Sequence, residues 1–341
     1  MTAQTVISDK LIAKSIDLMR LSVGERKKAL ALLEQMRREL IAKLASDKLT
    51  ELGKRRTQQL LTQSSDVIDS YYAKINAGLD KTLTGLASHE ADATAKIISD
   101  TGLTATIPTQ TAIASIVSDV LIQGAPSKDW WAKQSEQTHF NFAQQVRQGV
   151  AQGETNQQII SRVSSIMDVR KRDAASLVQT SVQTIANDAR LATFRQNSDV
   201  TKGVRQLSTL DGHTSDICMA YSGAEWDLDG NPINGTSLPF DGGPPRHFNC
   251  RSVLVPITKT FRELGLDIDE PDAGTRASDE GQISAKITFD EFLSRKSKAQ
   301  QDDMLGVGRA ELWRSGKITL RDLLDQKGRP LTLKQLQNKN L

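Results

Sequence analysis

Two stretches, DGHTSDIC at 211–218 and PPRHFNCRSVLVPI at 244–257, decide how this chain of 341 residues folds. RSVLVPI at 251–257 is apolar and β-branched, and GVRQLSTLD at 203–211 runs into an Asp-Gly turn, so both read as short strands. Between them DLDGNPINGTSLPFDGGPP, 227–245, is turn after turn. Six of the nine prolines fall between Leu207 and Asp290, with 14 acidic against 6 basic residues. A segment so acidic and so rich in turns can bury little apolar surface of its own, and something must fasten its ends.

Outward from this segment the pattern is helical. Up to about Val200 the chain is rich in Ala, Gln, Ser, Lys and Arg and nearly free of proline. Ser22 and Glu25 have the spacing of a capping box and predict a helix start. Ala29, Leu32, Leu33, Met36, Leu40 and Leu44 then recur at three- and four-residue steps and share one face. Ile75, Leu79, Leu83 and Leu86 continue the style before a break at Gly102–Pro108. GAPSKDWW at 124–131 punctuates the chain, and its tryptophan pair reads as a packing anchor ahead of a ligand platform. Thr155 and Gln158 form a second capping box, opening a helix with Ile159, Ile160, Val163 and Met167 inward; VQTSVQTIANDARLATF at 178–194 predicts a further helix. The tail, ELWRSGKITLRDLLDQKGRPLTLKQL, reads as helix, Gly turn, a short strand or turn, helix and a final helix start. The expected fold is α+β: a mainly helical, extended N-terminal part carrying a small loop-rich C-terminal module. Its segments are a helical N-terminal region at 1–125, a helical linker at 126–200, the α+β module at 201–290 and a helical tail at 291–341.

Composition narrows the function. With 44 basic against 41 acidic residues the net charge is +3, so nucleic-acid or membrane attraction cannot come from the chain as a whole. No run approaches the roughly 18 apolar residues of a membrane span, and the start lacks a leader's apolar core, which reads as soluble and unexported. Locally the balance shifts: 21–60 holds ten basic and five acidic residues, and 291–341 holds eleven and six. Such faces could lie against DNA phosphates, or could simply be solvated.

Both cysteines and two of the four histidines fall within forty residues: Asp211, His213 and Cys218, then His247 and Cys250. A His-x-x-Cys pair brought against a distant Cys by two strands supplies three ligands of the kind zinc prefers, with Asp211 or His213 as a fourth. Zinc competes with two other readings: the cysteines pack as small apolar side chains, or they form a disulfide closing a loop of about thirty residues. Arg251 is expected to pair with Asp211, which would leave His213 or water as the fourth ligand. No enzyme pattern stands out. The His-x-Glu and Cys-x-x-Cys of zinc deaminases are absent, His247 beside Asn249 lacks the second histidine of an HNH nuclease, and no Walker loop is present.

DGHTSDIC, PPRHFNCRSVLVPI and the tail LGVGRAELWRSGKITLRDLLDQKGRPLTL together resemble the Mu F-like minor head proteins, the head morphogenesis family of tailed bacteriophages. The likeness is strongest over about 140–340. The family's Asp, Thr and Cys near the first strand and its Pro-Pro-x-His-x-x-Cys-Arg segment fall on Asp211, Thr214, Cys218, Pro244, Pro245, His247, Cys250 and Arg251. Many members carry a second cysteine close to the first, where this chain has Asp216 and Ile217. The resemblance implies a non-enzymatic virion component inside the capsid near the portal, made in the host cytoplasm. Its implied partners are the portal protein, other head proteins and, non-specifically, packaged double-stranded DNA, and its implied roles are head morphogenesis and DNA packaging or ejection. Because some Mu F-like modules are joined to toxin or hydrolase domains, an unrecognised toxin or nuclease-like activity is the alternative.

Overall fold

The computed structural model of the chain describes residues 3–46, 54–260, 262–265, 275–278, 281–284 and 287–339. Five helices come first: α1 (Ala3–Ser46), α2 (Lys54–Ser99), α3 (Gln110–Asp119), α4 (Ser127–Ala151) and α5 (Asn156–Gln196). Two expectations are corrected here. Ser22 and Glu25 open no helix, because α1 runs unbroken through them: the Ser22 hydroxyl donates to the Met19 carbonyl at 2.8 Å, bonding back along the helix instead of capping it. Nor is 178–194 a separate helix. It is the second half of α5, since nothing between Met167 and Val178 breaks the backbone pattern. The second capping box forms as expected, with the Thr155 N–H donating to Gln158 Oε1 at 2.8 Å immediately before α5.

Two compact units result. One comprises 19–85 and 117–182. Its core is the meeting of apolar stripes: Ala29, Leu33, Met36, Leu40 and Leu44 of α1, Ile75, Leu79 and Leu83 of α2, Phe142 and Val146 of α4, and Ile159, Val163 and Met167 of α5 are all buried. Each such leucine is worth about 1.5–3 kcal/mol as an upper bound. Trp131 is 2% exposed and lies 6.3 Å from the Tyr72 ring, while Trp130 donates its Nε1–H to the Ile122 carbonyl at 2.6 Å, so the pair does anchor packing. Polar ties join the helices too, some inside, as between the Tyr72 and Thr138 hydroxyls at 2.9 Å, and some at the rim, as from Lys171 to Glu34 at 2.6 Å.

The other unit comprises 1–18, 86–116 and 183–341 and contains the sheet. Strands β1 (Thr201–Leu207), β2 (Glu225–Asp227), β3 (Pro232–Ile233) and β4 (Val253–Thr258) form an antiparallel sheet in the order β3-β2-β1-β4. Both expected strands, β1 and β4, are thus neighbours, with Arg205 opposite Val255. Gly203 lets β2 approach, since a Cβ there would stand 2.3 Å from the Trp226 carbonyl oxygen. Helix α6 (Asp216–Tyr221) interrupts the turns between β1 and β2, and β5 (Thr275–Ser278) pairs with β6 (Gly281–Ser284) as a separate hairpin. After them come α7 (Phe289–Ser294), α8 (Lys298–Leu305), α9 (Val307–Arg314), a 3-10 turn at Leu320–Leu323 and α10 (Leu333–Lys339).

β4 lies at an edge of the sheet, yet its outer backbone groups are engaged. Gln183 donates to the Ser252 carbonyl at 3.0 Å, and Asn187 Oδ1 accepts from the Leu254 N–H at 3.2 Å. Gln4 donates to the Pro256 carbonyl at 2.6 Å and accepts from the Thr258 N–H at 2.7 Å. Three amide side chains from α1 and α5 therefore stand where a neighbouring strand would. The same face of α5 carries Arg190, wholly buried, whose Nε donates to Glu90 at 3.0 Å while Lys14 reaches the other Glu90 oxygen at 2.9 Å. The architecture is α+β, helical first and sheet-bearing later.

Candidate metal centre

Local geometry explains why the two quoted stretches converge. Ser215 caps α6, its hydroxyl accepting the Cys218 N–H at 3.4 Å, and the short helix turns Cys218 inward, 3% exposed. On the other side His247–Cys250 is a tight turn closed by the Cys250 N–H on the His247 carbonyl at 3.2 Å. Asn249 takes the left-handed backbone this turn needs, at φ 62°, a conformation asparagine tolerates better than most residues. The β1–β4 pairing then carries Cys250, 1% exposed, against Cys218.

The three ligand-type atoms meet. Cys218 Sγ lies 3.2 Å from His247 Nε2 and 3.5 Å from Cys250 Sγ, and no ligand atom of the three is more than 4.8 Å from another. Tetrahedral zinc would separate two sulfurs by about 3.8 Å and a sulfur from a nitrogen by about 3.6 Å. Shifts of a few tenths of an ångström bring these two separations to the tetrahedral values. His247 Nδ1 sits 2.8 Å from the Phe248 carbonyl, which can only accept, so Nδ1 carries the proton and Nε2 offers its lone pair to the cluster. That is the tautomer a metal needs.

The two thiols are unlike. Cys250 is held well below the usual thiol range, first by accepting the Cys218 S–H and then, against burial, by His247 and the backbone N–H groups of Ser252 and Arg246. Cys218 is pushed up because it supplies that proton and is buried beside the resulting thiolate. The hydrogen bond to Cys250 in turn raises His247. Two sulfurs and an imidazole nitrogen gathered this closely are suited to capture a soft cation.

Asp211 does pair with Arg251, as expected: Nη1 and Nη2 reach its two oxygens at 2.6 and 2.7 Å. Burial alone would raise the Asp211 carboxyl, but the guanidinium and the His213 N–H, 2.9 Å from Oδ1, outweigh it and hold the group below its ordinary value. His213 lines a small recess beside the cluster but stands outside the three-residue group. Reading the sequence missed the hydroxyls around the sulfurs: Ser208 donates to the Cys218 carbonyl at 2.6 Å and lies 3.0 Å from Ser252. It also missed Arg246, whose guanidinium lies over the Tyr221 ring at 3.3 Å, donates to Gln206 at 2.7 Å and pairs with Asp241. Serines carry no spacing signal, whereas an arginine abutting the His-x-x-Cys turn was a legible cue.

Residues 141–255 match the family described as phage Mu protein F like protein. The matched span takes in the second half of α4, all of α5, and the sheet as far as Val255, including Asp211, Cys218, His247 and Cys250. The resemblance seen in the sequence thus holds over this span, while the tail beyond it lies outside the match. No curated protein and no solved structure matches the chain significantly.

Proposed function

Starting from a Mu F-like segment at 141–255, we propose that the chain is a minor head protein of a tailed bacteriophage, acting at the portal inside the capsid in head assembly and in DNA packaging or ejection. The family match carries this reading. Its role is structural, not catalytic. Its partners are the portal and other head proteins, and it resides in the virion after assembly in the host cytoplasm. Coexpression of the full chain with the portal protein of the same phage tests it. Copurification and incorporation into heads are expected, and a chain absent from both portal complexes and particles would refute the assignment. Substitutions in the full chain are preferable to a cut near residue 200, which would divide the sheet-bearing unit.

DNA contact belongs to the same reading, as weak and sequence-independent binding through the basic faces at 21–60 and 291–341. Ion pairs limit it: Lys28 is bound to Glu25 at 2.6 Å, Arg37 to Glu34 at 2.6 Å and Arg314 to Asp302 at 2.8 Å, so fewer cations meet phosphate than the sequence contains. Lys48 lies outside the described residues. Affinity should fall steeply with salt, and strong discrimination between sequences at fixed salt would count against the idea.

Zinc is the proposed occupant of the Cys218–His247–Cys250 cluster, fastening α6 to the turn that precedes β4. Elemental analysis of full-length protein purified without chelator should find zinc near one equivalent, lost in Cys250→Ser. Metal-free protein with two titratable thiols would return the cysteines to simple packing, and thiols that label only after reduction would mean a disulfide.

A further inference from the structure

We infer that the centre grips its metal with three protein ligands only and that the fourth position is exchangeable, taken by water at rest and open to a small monodentate anion. This rests on the metal reading above and deepens it.

The protein side chains nearest to hand are accounted for. Among the described residues, Cys218, His247 and Cys250 form the only group of three or more metal-ligating side chains this close together. Asp211 commits both oxygens to Arg251 at 2.6 and 2.7 Å, and turning it toward the cluster would strand that guanidinium. His213 is exposed, its backbone N–H tied to Asp211 at 2.9 Å, and its ring stays outside the group.

What borders the sulfur and the imidazole instead is space of the right kind. A recess of about 20 Å³ opens beside Cys218 and His247, its wall made by Thr209, His213, Thr214, Ser215, Asn249, Arg251 and Ser252. A water needs roughly 10–15 Å³ of such volume and two to four polar partners, and this recess meets both conditions. Ser215 marks the position. Its hydroxyl lies 2.8 Å from His247 Nε2, the atom whose lone pair a metal would take. Once that lone pair is engaged, the hydroxyl loses its acceptor and is placed to hold the fourth ligand. A small monodentate anion fits the same volume, and the charge of the metal ion itself supplies its attraction. Two cysteines, a histidine and a solvent molecule make a ligand set that keeps one position open, in contrast to the closed four-ligand sites of purely structural zinc.

Cobalt(II) substitution into the full-length chain reads this directly, with azide as the probe. Expected are the thiolate charge-transfer band and the visible bands of a tetrahedral ion at one equivalent, the visible bands shifting saturably on azide titration. His213→Ala should bind cobalt and azide like the parent, whereas Ser215→Ala should keep cobalt and bind azide about tenfold more weakly. Cobalt bound in a spectrum that azide leaves unmoved would overturn the open position while sparing the metal site. Loss of cobalt in His213→Ala would assign the fourth ligand to that histidine and overturn it equally. No cobalt or zinc uptake by the parent chain would overturn the metal reading and this inference with it.

Discussion

Both units bury apolar cores, but they differ in what else they take inside. In 19–85 with 117–182, stripes of leucine, isoleucine and methionine bury one another, and the polar contacts taken inside include the buried Tyr72–Thr138 hydroxyl pair at 2.9 Å. To its apolar clusters the other unit adds directional groups: Gln183, Asn187 and Arg190 of α5 are buried, as are Asn197 just beyond it, Glu90 and both cysteines. Non-directional burial spreads stability over many side chains, so each is partly dispensable. Directional contacts concentrate it in a few, and removing one partner strands the other.

The largest effect should come from the metal centre. Chelation is expected to loosen the sheet-bearing unit by on the order of 5 kcal/mol at saturating metal, read as faster amide exchange in α6 and β4 with the helical unit unchanged. Equal exchange with and without chelator would erase the proposed contrast. Next comes Glu90→Gln, which leaves the buried Arg190 guanidinium without its counter-charge and should lower unfolding stability by roughly 4 kcal/mol. Denaturant titration followed by exchange in α5 checks it.

Leu33→Ala serves as the matched probe of the helical unit. Its side chain is 1% exposed, and truncation should cost about 3 kcal/mol in denaturant titration, through lost transfer energy and a cavity. A smaller loss than Glu90→Gln is expected because the surrounding stripe can partly close. The smallest change runs in the opposite direction. Burial pushes the Asp188 carboxyl up to about 6 despite Arg195. In an unfolded chain it titrates near 4, so between about pH 4 and 6 the unfolded chain ionises while the folded one holds its proton, stability falls across that window, and above pH 6 the cost is complete. Asp188→Asn should therefore stabilise the protein by roughly 2 kcal/mol at pH 7.5, the gain fading to nothing near pH 4. A gain independent of pH would sink this account.

The same contrast explains what could be read from the sequence. Stripes such as Ala29–Leu44 announce a helix and its buried face together, because burial and helical period are one signal. The length of α1 and α5 was not legible, since a Ser-x-x-Glu pair is equally content as a cap or, as at Ser22, bonded back within a helix. The metal candidates were legible as rare residue types crowded into one stretch, and the Asp211–Arg251 pair followed from their placement. Buried amides were not. Gln183 and Asn187 resemble any solvent-facing polar residue until the strand they serve is in place.

Those amides decide how the sheet can grow. On the β4 side, alternate residues from Ser252 to Thr258 already have side-chain partners, and on the other side β3 is only two residues long. An incoming strand would have to evict Gln183, Asn187 and Gln4 together before gaining its first backbone bond at β4. Copies crowded at high local concentration are thereby hindered from zipping together along the β4 edge of the four-stranded sheet.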